Sequence, residues 1–171
     1  CTSSSGRSAS VSYHAPMIDV TFWPVFAAGV ASVLIGWVWY HPKVFGNAWV
    51  RLNNITPEMA ERGKKNRHLH ALISLFAGMM AAYVMNYFGI AWGVYDWIGA
   101  IELGFWCWVG FVAPVMLGTV LWEHKPFRLY LINSLYWLVT LIVMAVVLTL
   151  GTQAGSGGLY DQVSPEIYIA E

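Results

Sequence analysis

VTFWPVFAAGVASVLIGWVWYHPKVFGNAW, residues 20–49, decides the fold. From Val20 to Tyr40 no charged side chain interrupts the run. At about 1.5 Å per residue, a helix of that length crosses a hydrocarbon core roughly 30 Å thick. The run then stops abruptly. Trp39 and Tyr40 are placed to anchor at a membrane–water interface, where amphipathic rings concentrate. Pro42 cannot continue the hydrogen-bond ladder, and Phe45 to Trp49 is expected to turn the chain along the membrane surface. FGNAWVRL, Phe45 to Leu52, sets apolar residues beside Arg51 and suits a short helix at headgroup depth. Thr56, Pro57 and Glu58 read as an N-cap, a first-turn proline and an early acid, so a second short helix is expected to lead into the next span.

Working outward, three further stretches have the same character: Leu69 to Ile90, Trp97 to Trp122 and Leu129 to Leu150. The whole chain of 171 residues is 58% hydrophobic and 11% charged, with a mean hydropathy of +0.56. A soluble domain carries about 25% charged residues, so too little charge is present here to cover a water-facing surface. The sequence therefore predicts an all-α integral membrane four-helix bundle. Its spans fall at about 20–40, 69–90, 97–122 and 129–150 within a membrane domain of residues 17–150, with a short interfacial helix after the first span and extended termini at 1–16 and 151–171.

The formal charge of zero conceals two unlike ends. Lys43, Arg51, Arg62, Lys64, Lys65 and Arg67 lie between the first two spans, and Lys125 and Arg128 between the last two. Arg7 is the remaining basic residue of the nine. Short Lys/Arg-rich loops stay in the cytoplasm, so both termini are expected on the outer side of the membrane. Asp19, Asp96, Glu102, Asp161, Glu166 and Glu171 then fall on the outer side or in the outer leaflet. Membrane lipid and other membrane subunits are the expected partners, and no nucleic acid.

CTSSSGRSAS at the start looks like a mature lipoprotein, in which an acylated cysteine is followed by a polar tether; Cys1 is the lipidation candidate. The alternative is that Met17 is the natural start. Cys107 lies within the third span, and no CxxC pair suggests thiolate zinc. In the tail, GTQAGSGG reads as a flexible linker. LYDQVSPEIYIAE beyond it carries enough apolar side chains to need a partner surface if it is ordered.

Each span has one row of small or polar residues. Ala28, Ser32 and Gly36 mark the first, and His70, Ser74, Gly78, Ala82 and Asn86 the second. Gly110, Pro114 and Gly118 mark the third, where Pro114 should bend the helix. Asn133, Tyr136 and Thr140 mark the fourth, whose remaining Leu, Ile and Val suit lipid. Such rows let helices approach closely, and packing is the preferred reading of all four.

With these blocks placed, the chain resembles a family of small bacterial inner-membrane proteins, the domain of unknown function family 1761. The resemblance rests on MIDVTFWPV (17–25), GWVWYHPKVFGNAW (36–49), GFVAPVMLGTVLWEHKP (110–126) and LYLINSLYWLV (129–139). It covers about Met17 to Leu150, implies a four-span bundle, and brings no activity or ligand. The two outer arms depart from the usual compact member.

Several side chains are candidates for chemistry. His41, His68, His70 and His124, with Glu123, map to the cytoplasmic boundary, where converging imidazoles and a carboxylate could bind a metal or haem or relay protons. No HxxxH or HExxH spacing supports this, and ordinary interfacial histidines are the blander reading. Glu123 sits at a helix C-terminus, where negative charge is disfavoured; an ion pair with Lys43, Arg51 or Arg128 is expected to offset it. Glu102 lies inside the third span, where an acid is a functional candidate by default, although its position near a helix N-terminus lessens the cost. Asn86 and Asn133 read as interhelical hydrogen-bond partners. Among ten Trp, nine Tyr and eight Phe, Trp39, Tyr40, Trp49, Trp97 and Trp122 read as interfacial anchors. Trp92, Trp97, Trp106 and Trp108 gather toward one side and could meet lipid or a quinone, carotenoid or porphyrin of a neighbour, though belt and packing roles are favoured.

Three functions compete. The leading one is a non-catalytic accessory or scaffold subunit of a larger bacterial membrane complex, respiratory or photosynthetic. A small carrier or channel built on Glu102, Asn86 and Asn133 is the second. The third is a metal-binding or enzymatic protein using the cytoplasmic histidines.

Overall fold

A computed structural model of the chain describes residues 22–155. The N-terminal arm with Cys1, and the tail beyond Gly155, lie outside the described residues. In chain order the helices are α1 (Phe22–Trp39), α2 (Asn47–Leu52), α3 (Pro57–Lys65), α4 (Arg67–Ala91), α5 (Trp97–Cys107), α6 (Ala113–Leu121) and α7 (Phe127–Gly155), and no strand occurs among the described residues. α1, α4, the α5–α6 pair and α7 are each long and apolar enough to cross a membrane. The protein is an all-α, four-span membrane bundle, with the short α2 and α3 between its first two spans.

Local chemistry sets the helix ends. α4 closes where Gly93 takes φ +68, letting the Val94 N–H reach the Gly89 carbonyl at 2.8 Å. Glycine suits that left-handed position because it has no Cβ to clash. α5 then starts at once, because the Asp96 carboxylate accepts from the Gly99 N–H at 3.0 Å. Asn54, at φ +53, closes α2 in the same manner, with Ile55 N–H on the Val50 carbonyl at 3.2 Å. α3 has the expected cap: Thr56 Oγ1 accepts from Met59 N–H at 3.3 Å, with Pro57 in the first turn.

The third span shows what Pro114 does. A π-helical turn, Trp108–Val112, separates α5 from α6 immediately before the proline. Proline has no N–H to donate to the Gly110 carbonyl, and its ring crowds that oxygen. A wider turn relieves the crowding.

α7 is the hub and packs against α1, α4, α5 and α6. Leu141, Met144, Ala145 and Leu148 of α7 are buried with Val25 and Ala28 of α1, Ala82 and Met85 of α4, and Ala100, Leu103 and Cys107 of α5. This corrects the expectation that the aliphatic residues of the fourth span face lipid. Lipid tails are as apolar as Leu, so helices associate through close packing and hydrogen bonds rather than through a polarity difference. Apolar pattern alone therefore does not mark the central helix.

Small residues make the closest approaches. Gly78 meets Ser32, and a Cβ on Gly29 would lie 3.3 Å from the Met79 backbone nitrogen. Ala28 and Ala82 are fully buried. The tightest junction of α5 with α7 is at Gly104, where a Cβ would come within 2.7 Å of Ile142 Cα. Gly110 and Gly118 were expected in that role. Instead nothing lies within 4 Å of a Cβ on Gly110, and Gly118 meets only the edge of Trp122 at 3.8 Å. Their row does not make the close contact with α7, which falls to Ala100, Leu103, Gly104 and Cys107 of α5.

The tail is corrected as well. α7 runs on through Gly151 to Gly155, into the stretch read as a flexible linker. Gly151 sits under Pro24, whose Cβ would be 2.8 Å from an added Cβ, and Gln153 Nε2 donates to the Tyr95 carbonyl. Glycine serves close approach here, and the helix end is held by α1 and by the turn before α5.

Candidate functional site

Two of the stretches that carry the resemblance, GWVWYHPKVFGNAW and LYLINSLYWLV, meet in space. Trp39 Nε1 donates to the Ile132 carbonyl at 3.0 Å, and Tyr40 Oη to Asn133 Oδ1 at 3.1 Å. Tyr136 Oη donates to the Ser32 carbonyl at 3.4 Å. Rings close the junction: Trp39 lies 4.8 Å from Phe45, and Tyr40 lies 5.2 Å from Tyr136 and 5.5 Å from Trp49. Ring contacts of this kind add about 0.5–1.5 kcal/mol each beyond burial. WYHPKVFGNAW is thus a clamp that fastens the end of α1 to the start of α7. The chain reverses through the π-helical turn Pro42–Gly46, in which Gly46 N–H bonds the His41 carbonyl at 3.0 Å. A Cβ at Gly46 would run into the backbone of residues 40 and 41, so the clamp needs glycine there. Burial first, and then the adjacent Tyr136 phenol, push the Tyr40 hydroxyl above the ordinary tyrosine range. Sequence reasoning placed Trp39, Tyr40 and Trp49 as interfacial anchors; the structure half-buries all three in this junction. Trp97 and Trp122, at 61% and 84% exposure, stand free of the bundle.

Beside the clamp a crevice of about 1100 Å³ opens between α1 and α4. The two helices touch at Gly29 and Gly78 and diverge toward the basic end. The atoms nearest a Cβ on Gly36 belong to Tyr136 of α7, not to α4. Val33, Gly36 and Trp37 form one wall, Ala71 and Ser74 the other, and Tyr40 and Tyr136 the floor. Lys64, Arg67, His68, His70 and His41 surround the mouth, and no carboxylate lines it. Ser74, expected as a helix-packing residue, therefore borders open space, whereas Gly36 borders the crevice and also packs on α7, where an added Cβ would lie 3.3 Å from the Tyr136 hydroxyl.

Three of the four candidate histidines share this crevice. His124 does not line it; it occupies a left-handed position at φ +54 where the chain leaves α6. No group of three or more His, Cys, Asp or Glu placed to hold a metal exists among the described residues. Glu123 is exposed and makes no ion pair with Lys43, Arg51 or Arg128; the ion pair among the described residues is Lys64–Glu61 at 2.8 Å, on the surface. The expected clamp through Glu123 is corrected: the carboxylate is exposed, and the helix end is satisfied by backbone bonds such as Lys125 N–H to the Thr119 carbonyl at 3.1 Å.

The remaining polar residues occupy separate places. Asn133 is held by Tyr40. Asn86 is buried near the other end, its Nδ2 without a partner, beside a cavity of about 30 Å³ lined also by Leu103, Ala145 and Thr149. That is room for about one water molecule. Glu102 points away from the bundle, on the exposed face of α5 with Ile98, Phe105 and Trp106, and has no hydrogen-bond or ion-pair partner among the described residues. Glu102, Asn86 and Asn133 thus do not share one path through the bundle. Gly104 was missed from sequence, although Ala100 and Gly104 show the same four-residue spacing of small residues that was noted elsewhere.

Three apolar spans packed around a fourth, α7, and clamped at one end by aromatic hydrogen bonds, define a multi-pass helical membrane protein. Residues 23–149 match the family described as Protein of unknown function (DUF1761), and the chain belongs to that family. No curated protein and no solved structure matches it.

Proposed function

We propose that the protein is a non-catalytic accessory subunit of a larger complex in a bacterial inner membrane, with its basic loops in the cytoplasm and both termini outside. The supporting observation is Glu102. It lies five residues into α5, about 7.5 Å along the helix from Trp97, and faces outward without a partner. Acids in membrane spans almost always face a bundle interior or pair with another group, because a lipid-facing carboxylate costs up to about 2.5–3.5 kcal/mol, most at mid-bilayer. A neighbouring subunit that supplies a donor removes that cost. Ile98, Phe105 and Trp106 flank Glu102 and give such a neighbour an apolar seat.

Photocrosslinkers placed at Ile98 and at Trp106 should capture one membrane protein in fixed ratio to this chain. A crosslinker at Phe76, on the exposed face of α4, should capture lipid alone. Glu102→Leu should release the partner in native mass spectrometry of the gently extracted complex, while Glu102→Gln, which keeps hydrogen bonding, retains part of it. A lone chain, or equal capture from both faces, overturns the proposal.

A further inference from the structure

We propose that the crevice between α1 and α4 is a binding site for a single acidic phospholipid, which holds the two helices apart at the basic end of the bundle. The site is distinct from the Glu102 face and does not depend on the accessory-subunit reading.

The shape comes first. α1 and α4 pack tightly around Gly29, Ser32 and Gly78, then separate, so that Val33, Gly36, Ala71 and Ser74 border space instead of each other. The opening of about 1100 Å³ slightly exceeds the pockets that enclose whole organic ligands, roughly 300–1,000 Å³. Its depth suits a chain-bearing molecule. Ser74 lies seven residues inside α4 from Arg67, about 10 Å along the helix, so the crevice extends from headgroup level well into the hydrocarbon.

Polarity follows the same axis. Lys64, Arg67 and the three histidines cluster at the mouth, while Val33, Gly36 and Trp37 of α1 and Ala71 and Ser74 of α4 continue the lining into the spans without a charged group. The absence of any lining carboxylate leaves Arg67 with no ion-pair partner among the described residues, and Lys64 is engaged by the exposed Glu61 alone. A surface pair of that kind is weak and exchanges readily. A phosphate headgroup bound by Arg67 and Lys64, with an acyl chain along Trp37 and Ala71, satisfies both halves. Tyr40 and Tyr136, at the floor, bring the occupant against the clamp that joins α1 to α7. The charge at the mouth favours an anionic over a zwitterionic headgroup, and the apolar walls favour a lipid over free phosphate.

Native mass spectrometry of the full chain in a neutral detergent, with equimolar phosphatidylglycerol and phosphatidylcholine of identical chains, tests this. One phosphatidylglycerol should remain bound under activation that strips phosphatidylcholine. The double variant Lys64→Gln/Arg67→Gln should lower that preference about thirtyfold, the effect of two basic residues at a membrane surface. Arg128→Gln removes a positive charge that does not line the crevice and should leave the preference intact. Ser74→Phe, at an exposed position, should block retention without changing charge, and circular dichroism checks that each variant keeps its helices. Equal retention of the two lipids, or a loss with Arg128→Gln as large as with the double variant, overturns the proposal. So does binding of glycerol phosphate as tight as that of phosphatidylglycerol, which would assign the basic cluster to a soluble phosphate.

Discussion

At the scale of single residues, Tyr40 carries more of the junction than its position at a span end suggests. Its hydroxyl donates to Asn133 and its ring lies between Tyr136 and Trp49. Tyr40→Phe keeps the ring and removes the donor, leaving Asn133 Oδ1 without that bond in a half-buried place. The loss should be about 1–3 kcal/mol, read by denaturation in mixed micelles at pH 8. The pH dependence has a definite sign. Because burial and Tyr136 raise the folded hydroxyl above its unfolded value near 10, its contribution is fully present below about pH 10. It then falls as pH rises toward the raised folded value. The gap in stability between wild type and Tyr40→Phe should therefore hold from pH 7 to 9 and narrow between pH 10 and 11.5. A gap that widens with pH would show that the hydroxyl is not the buried donor. The aromatic block was legible in the sequence as the end of a span, from Trp39, Tyr40 and Pro42 in a row. Its partners were not, since Ile132 and Asn133 lie 93 residues away from Trp39 and Tyr40, and nothing local ties an indole to a distant carbonyl.

At the scale of helices, span number and approximate bounds follow from uninterrupted apolar length, and the structure has helices at all four places. Which faces meet is another matter. In lipid, a Leu against a neighbouring helix and a Leu against an acyl chain are in similar media. Met144 and Leu148, buried in the core, consequently read like Val115 and Leu121, which are exposed. Small-residue rows were the better guide, yet the same spacing occurs in both halves of the third span. Ala100 and Gly104 meet α7, whereas Gly110 and Gly118 do not. Paired substitutions separate the two rows. Gly104→Ala sets a methyl against Ile142 backbone atoms at 2.7 and 2.8 Å, which cannot rotate aside, so α5 must shift from α7. Overpacking of this kind costs about 1–3 kcal/mol. Gly110→Ala meets open space and should change stability by no more than about 0.5 kcal/mol. Unfolding in mixed micelles reads both, and equal losses would mean that α5 and α7 are not apposed at Gly104.

At the scale of the whole molecule, the two ends of the bundle differ in kind. At one end the connections are short and held by capping: Gly93 and Asp96 join α4 to α5, and Gln153 ties the end of α7 to Tyr95. The other end carries α2, α3, the aromatic clamp, the crevice and, among the described residues, every Lys and Arg. A bundle tight at one end and open at the other is suited to making specific contacts at the basic side, and the orientation we propose, from the positive-inside tendency, has that side in the cytoplasm. Single cysteines in a background lacking Cys1 and Cys107 make this orientation measurable. Tyr95→Cys and Glu58→Cys both replace exposed side chains at opposite ends. In intact spheroplasts a membrane-impermeant maleimide should label position 95 and spare position 58, and after lysis it should label both. Labelling of position 58 in intact spheroplasts with protection of position 95 would invert the molecule, placing the basic crevice against the outer leaflet and Glu102 in the inner one.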